Sequence, residues 1–229
     1  MNPKKLCAFD FADTLAELHP PRQNIVAKHI MQVSGIDVHA DHISRCYKLV
    51  DNVMRYSSVH MRSSLQRAEF YRGYNRCLLE LLGLVHLVSP DGLFVAFNEN
   101  EKHWQLKDGA RETIAELRHR GYQIAIISNF DSHLEQIIRE HLGLSALIDY
   151  LHISQSVGAE KPDTQFYLTF FEKHNIAIEN TIYLGDNYSL DYRPAVEIGL
   201  KAWLLDETGV YAHCPYAISN LRELLDCID

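Results

Sequence analysis

The chain has 229 residues, 47% hydrophobic and 23% charged, with 22 Lys plus Arg against 30 Asp plus Glu and a formal net charge of −8. That composition excludes a disordered or collagen-like chain. The acidic balance excludes broad, sequence-independent nucleic-acid binding, which needs a basic stripe to displace counterions. At roughly 150 residues per domain, the length fits one large domain or one domain carrying a sizeable insert.

The first apolar run, LCAFDF over residues 6–11, predicts a buried strand. Asp10 interrupts it, so the N-terminus does not read as a signal peptide. Residues from about 19 to 99 carry helical periodicity and no convincing strand. Pro20-Pro21 marks the entrance to this stretch, and Ser89-Pro90-Asp91-Gly92 predicts a turn near its exit. Inside it, Ser63 and Gln66 have capping-box spacing, and Leu65, Ala68, Tyr71, Tyr74, Leu78 and Leu81 form a stripe at i, i+3, i+4. The longest apolar stretch, Leu78 to Val88, contains Glu80 and falls short of the ~18 residues a membrane span needs.

From residue 100 onward the pattern alternates. Helices are predicted over Ala110–Arg120, Ser132–Leu142 (with Ser132 and Glu135 as a second capping box), Phe166–His174 and Tyr192–Ile198. Between them YQIAIIS (122–128), TIYLG (181–185) and KAWLL (201–205) predict buried strands, and YLHIS (150–154) a weaker one. Strands alternating with helices of this size indicate an α/β doubly wound, Rossmann-like parallel sheet. The expected organisation is an α/β core made of residues 1–18 and 100–229, interrupted by an all-helical domain over 19–99. Five scattered cysteines, an odd number, point to a reduced cytoplasmic setting without disulfides.

In an open parallel sheet, ligands sit beyond the carboxyl ends of the strands. The residues there are Asp10-Phe11-Ala12-Asp13-Thr14, Ser128-Asn129, Lys161 in the loop AEKPD, and Gly185-Asp186-Asn187-Tyr188-Ser189-Leu190-Asp191. Carboxylates, hydroxyls and a lysine at four strand ends suit a divalent cation held next to a phosphoryl group. Singly each signal is weak: Asp10 or Asp191 also reads as a helix cap, Ser128-Asn129 as a turn, and Lys161-Pro162 as a helix entry.

The ordered set resembles the haloacid dehalogenase (HAD) superfamily, with FDFADTL as motif I, IISN as motif II, Lys161 as motif III and GDNYSLD as motif IV. The helical insert sits where that superfamily places a cap domain. The resemblance implies Asp10 as a nucleophile forming an aspartyl-phosphate, and Thr14, Ser128 and Lys161 as catalytic groups, with Asn129 at the substrate. It also implies Mg²⁺ held by Asp10, the Ala12 carbonyl, Asp186 and Asp191. The expected activity is hydrolysis of a small phosphate ester. No nucleic acid or membrane is expected as a partner, and the chain is expected as a monomer or homodimer.

One position departs from the pattern. Superfamily phosphatases carry an acid/base aspartate two residues after the nucleophile, where this chain has Ala12. Three readings stay open: a phosphatase whose proton comes from elsewhere, with His60 or Tyr56 as candidates; a dehalogenase- or phosphonatase-like hydrolase using Asp10; or a catalytically weak metal- and phosphate-binding regulatory protein. A phosphonatase lysine would have to be Lys28 or Lys48. His39, His42 and Cys46 share a helical face, and a packing face fits them better than a metal site, since a fourth ligand is missing. The insert's tyrosines and arginines (Arg55, Tyr56, Arg62, Arg67, Tyr71, Tyr74, Arg76) read as core and solvated face before substrate pocket.

Overall fold

The computed structural model describes residues 5–54 and 63–228. Eight strands are present: β1 (Lys5–Phe9), β2 (Ala16–His19), β3 (His103–Leu106), β4 (Tyr122–Ser128), β5 (Tyr150–Ile153), β6 (Thr181–Gly185), β7 (Lys201–Leu205) and β8 (Ala217–Ile218). Six of them form one sheet in the order β5-β4-β1-β6-β7-β8, every pairing parallel. From β1 the chain winds first to β4 and β5 on one side, then to β6, β7 and β8 on the other. The strand order therefore reverses at β1, which makes its carboxyl end the switch point where such sheets bind ligands. β2 and β3 pair separately, and neither they nor β8 was anticipated from the sequence.

The near-continuous apolar strands follow from burial on both faces. With a side-chain period of two, Cys7 and Phe9 join Ile124, Ile126, Ile182 and Leu184 in one core cluster, closed by Ala110, Ile114 and Leu117 of the helix Ala110–His119. Leu6 and Ala8 join Ala125, Ile127, Tyr183 and Ala202 in the other, covered by Phe166, Tyr167, Phe170 and Phe171 of the helix Thr164–His174.

The chain divides into two compact units, residues 1–17 with 104–229, and residues 18–103. The second holds the helices Arg22–Ser34, Ala40–Val53, Ser64–Leu81 and Pro90–Glu99 around Ile30, Ile43, Val50, Leu78 and Leu79. Its Ser63–Gln66 capping box forms, with Ser63 Oγ accepting from the Gln66 N–H at 3.1 Å and Gln66 Oε1 from the Ser63 N–H at 3.1 Å.

Several local expectations are corrected. Leu65 and Leu81 are 68% and 49% exposed. The helix instead buries Asn75, whose Nδ2 donates to the Pro90 carbonyl at 3.1 Å, and Leu79. Ser89 to Gly92 is a helix start, with Ser89 as its cap. The Ser132–Glu135 capping box does not form: Asp131 accepts the His133 N–H at 2.9 Å, and a short helix runs into a π-turn over Ile137–His141. His39 caps its own helix and Cys46 is buried, while His42 is exposed, so the three do not gather as ligands. All five cysteines are free. No helix among the described residues is long and apolar enough to cross a membrane. Arg55, Tyr56, His60 and Arg62 lie outside the described residues.

Candidate active site

Asp10 leaves the end of β1 with its N–H donated to the Leu184 carbonyl at 2.9 Å. That bond ties the first residue after the strand to β6 and fixes where its carboxylate emerges. The chain then doubles back: the N–H groups of Leu15 and Ala16 both donate to the Phe11 carbonyl, at 2.9 and 3.1 Å, and Asp13 takes a left-handed φ of 60°. An aspartate tolerates that conformation better than most residues. The turn returns Thr14 to the site, where its buried hydroxyl lies 3.4 Å from Asp10 Oδ2 and 3.3 Å from Asp186 Oδ1. Phe11, Trp104 and Phe130 brace the loop as a triangle of rings with centroids 5.0–5.6 Å apart. Ala12 is half-buried against the apolar cluster of that face.

Ser128 ends β4 and donates to Asp10 Oδ1 at 3.1 Å. Asn129 does something other than expected. Its carboxamide is committed at both ends to the Lys161 main chain, accepting from the N–H at 2.8 Å and donating to the carbonyl at 3.0 Å. Those two bonds tie Asn129 to the main chain of Lys161. Lys161 is buried and reaches Asp10 Oδ1 at 2.6 Å, Asp191 Oδ1 at 2.6 Å and the Tyr183 hydroxyl at 2.9 Å.

Asp191 is a hub and not the N-cap of the helix that follows. Its Oδ1 accepts from Lys161 and from Tyr183 (2.8 Å), and its Oδ2 from the Asn187 N–H at 3.1 Å. Asn187 provides the cap, accepting from the N–H groups of Ser189 and Leu190 at 2.9 and 3.0 Å. Gly185 makes the approach possible: a Cβ there would lie 2.3 Å from Asp191 Cγ. Tyr183 and Gly185 are the site residues that sequence reasoning missed. The signal available was a tyrosine two positions before a glycine inside a mostly apolar strand.

Asp10, Asp186 and Asp191 each offer a carboxylate oxygen within 4.8 Å of the others, and all three are buried. Burial pushes the Asp10 carboxyl up, and the charges of Asp191 and Asp186 add to it against the pull of Lys161, to about 7. Burial opposes the Lys161 ammonium, but Asp10 and Asp191 outweigh it and hold its pKa above the ordinary lysine value. Burial, then Asp191, keeps the Tyr183 phenol neutral. Three carboxylates around one ammonium leave an excess of negative charge in a dry place. Hard oxygen donors so arranged fit a divalent cation.

A buried carboxylate cluster with a lysine therefore lies at the switch point of a parallel α/β sheet. The description of haloacid dehalogenase-like hydrolases matches residues 4–199, and the chain belongs to that family. Haloacid dehalogenase-like hydrolase domain-containing protein 3 of Homo sapiens is 32% identical over 136 residues, 55% of this chain. That match spans 54% of the human protein, about half its length. Glyceraldehyde 3-phosphate phosphatase of Methanocaldococcus jannaschii is 29% identical over 126 residues, 51% of this chain and 54% of that one. Among solved structures, the HAD hydrolase YfnB of Bacillus subtilis, bound to magnesium, superposes with a TM-score of 0.61 at 20% identity, covering 99% of each chain.

Proposed function

We propose that the chain is a Mg²⁺-dependent phosphohydrolase that acts on a small phosphorylated molecule through an aspartyl-phosphate on Asp10. The observation that carries this reading is Lys161 Nζ at 2.6 Å from both Asp10 and Asp191, inside a carboxylate cluster that also includes Asp186. Asp10 is the nucleophile: Ser128 and Lys161 hold one of its oxygens, and the Thr14 hydroxyl lies against the other. Ser128 and Thr14 are the hydroxyl donors next to it, suited to phosphoryl oxygens as charge develops on them. Lys161 neutralises charge and orients the nucleophile. Mg²⁺, with Asp10, the Ala12 carbonyl, Asp186 and Asp191 as its proposed ligands, would supply Lewis-acid stabilisation of the phosphoryl oxygens. The helical unit is proposed as a cap that carries substrate specificity. The phosphatase name of the Methanocaldococcus jannaschii relative supports the reaction class.

The test is hydrolysis of an activated aryl phosphate with and without Mg²⁺, by wild type and by Asp10→Asn. Metal-dependent turnover lost in the variant is expected. Turnover that survives Asp10→Asn sinks the proposal, and metal-free chloride release from a 2-haloacid would replace it with a dehalogenase.

A further inference from the structure

The hydrogen bonds around Asp10 bear on which substrate oxygen can leave. A phosphoryl group transferred to Asp10 expels an oxygen. An alkoxide leaves slowly unless a nearby acid protonates it, and that assistance is worth about 10²–10⁴-fold. The side chains bonded to Asp10 among the described residues are Lys161, Ser128 and Thr14. All three N–H bonds of Lys161 are directed at protein acceptors: Asp10, Asp191 and Tyr183. The Tyr183 proton is donated to Asp191. Ser128 and Thr14 are alcohols, no better as acids than the alcohol they would be protonating. Asp186 and Asp191 are grouped with Asp10 as carboxylates suited to a cation, and Asp13 is not among the side chains bonded to Asp10. Ala12 contributes a methyl group packed on the apolar side. Among the described residues, none of the side chains bonded to Asp10 has a proton free to hand to a departing oxygen.

Building on the phosphoryl-transfer reading above, we infer that the substrate's leaving oxygen is a weak base that departs unprotonated: an aryl, enol or acyl oxygen in place of an alkoxide. In the first step an Asp10 oxygen forms a bond to phosphorus while the phosphorus–oxygen bond to the leaving group breaks, and the leaving oxygen takes the electron pair away as an anion. In the second, a water oxygen bonds to phosphorus, the bond to Asp10 breaks with its pair returning to the carboxylate, and the proton of the water passes to solvent. The missing acid is also the missing base for that water, so the second step is slow and the phosphorylated Asp10 accumulates.

The experiment uses the full chain with Mg²⁺ and three phosphates that differ in leaving group: 4-nitrophenyl phosphate, phenyl phosphate and glycerol phosphate. The expected result is a kcat/KM that falls by about 10²-fold or more from the first to the last. A pre-steady-state burst of about one equivalent of 4-nitrophenol per chain should accompany it. Ala12→Asp, where it folds, should flatten the series. Glycerol phosphate turned over as fast as 4-nitrophenyl phosphate, or linear release with no burst, overturns the inference while leaving the phosphohydrolase reading intact. Turnover unchanged by Asp10→Asn overturns that reading, and this inference falls with it.

Discussion

Replacing Gly185 by alanine tests the site through its backbone without touching a titratable group. The added Cβ would lie 2.3 Å from Asp191 Cγ, 2.4 Å from its Cβ and 2.6 Å from Oδ2. One side or the other must give. Asp191 is held by Lys161 at 2.6 Å, Tyr183 at 2.8 Å and the Asn187 N–H at 3.1 Å. Gly185 is the last residue of β6 and is in register with Leu204 of β7. If Asp191 yields, a buried lysine loses one of its two carboxylates, and breaking such a pair costs about 3–5 kcal/mol. If the strand yields, overpacking costs about 1–3 kcal/mol. The smaller of these bounds the loss from below. At about 2–4 °C per kcal/mol for a chain of this size, the melting temperature should fall by about 2–20 °C. Trp104 and Trp203 both lie in the core unit, so tryptophan fluorescence during thermal melting reports on the unit that is perturbed. Phosphatase turnover should fall as well, because Lys161 orients Asp10. The control is Gly73→Ala. In a helix interior, where its Cβ meets only Met54 Cε at 3.4 Å, it should be neutral or stabilising by up to about 1 kcal/mol. A Gly185→Ala protein that melts within 1 °C of wild type and keeps its turnover would refute the claim that Asp191 is pinned against this strand.

Tyr183→Phe removes the hydroxyl that joins Lys161 to Asp191. It should cost about 1–3 kcal/mol of stability and lower kcat by about tenfold with KM little changed, so a rise in KM alone would argue against a positioning role. Saturating Mg²⁺ at about a hundredfold above its dissociation constant should stabilise the wild type by about 2.7 kcal/mol in thermal melts. Asp186→Asn should lose most of that gain, and an equal gain in the variant would place the cation elsewhere. His152 is buried and donates from Nε2 to the Phe166 carbonyl at 2.8 Å. Burial holds its pKa down to about 4. Between that value and the unfolded value of about 6.5, the unfolded chain binds the proton and the folded one does not. Stability is therefore full above pH 6.5 and declines as pH falls, by about 1–2 kcal/mol at about pH 5 after allowing for screening. Urea titrations should show a shallower decline for His152→Gln, and an identical slope would remove His152 as the cause.

The doubly wound sheet was legible because burial on both faces writes itself into the chain as unbroken apolar runs. The observed β4, β6 and β7 coincide with YQIAIIS, TIYLG and KAWLL. Local competition was not legible. Asp131 and Ser132 are both good caps, and only the backbone conformation decides that Asp131 takes the His133 N–H. Nor were distant partners. Asn75 is buried because the Pro90 carbonyl meets it from another helix, while Leu65 fits the helical period and has no neighbour to cover it. Periodicity describes one element, and burial is a property of two.

The same distinction applies at the site. The gathering of Asp10, Thr14, Ser128 and Lys161 was readable because a parallel sheet brings its strand ends and the loops beyond them together: Asp10 follows β1, Ser128 ends β4, and Thr14 and Lys161 lie in the loops further on. Their division of labour was not, since it depends on contacts between loops. Nothing in the sequence shows that both ends of the Asn129 amide meet the main chain of Lys161. Asp191 reads as a helix cap until Lys161, Tyr183 and the Asn187 N–H are found on its oxygens and its side chain against Gly185. Those contacts couple β6, the lysine loop and Asp10 into one buried unit. A change at Gly185 or Tyr183 should therefore reach Asp10 through Lys161. Ala12 is the exception that sequence alone exposes, because a missing carboxylate needs no geometry to be noticed. Geometry adds the rest: Lys161 donates to Asp10, Asp191 and the Tyr183 hydroxyl, and Tyr183 donates to Asp191, so both side chains are committed within the cluster around Asp10.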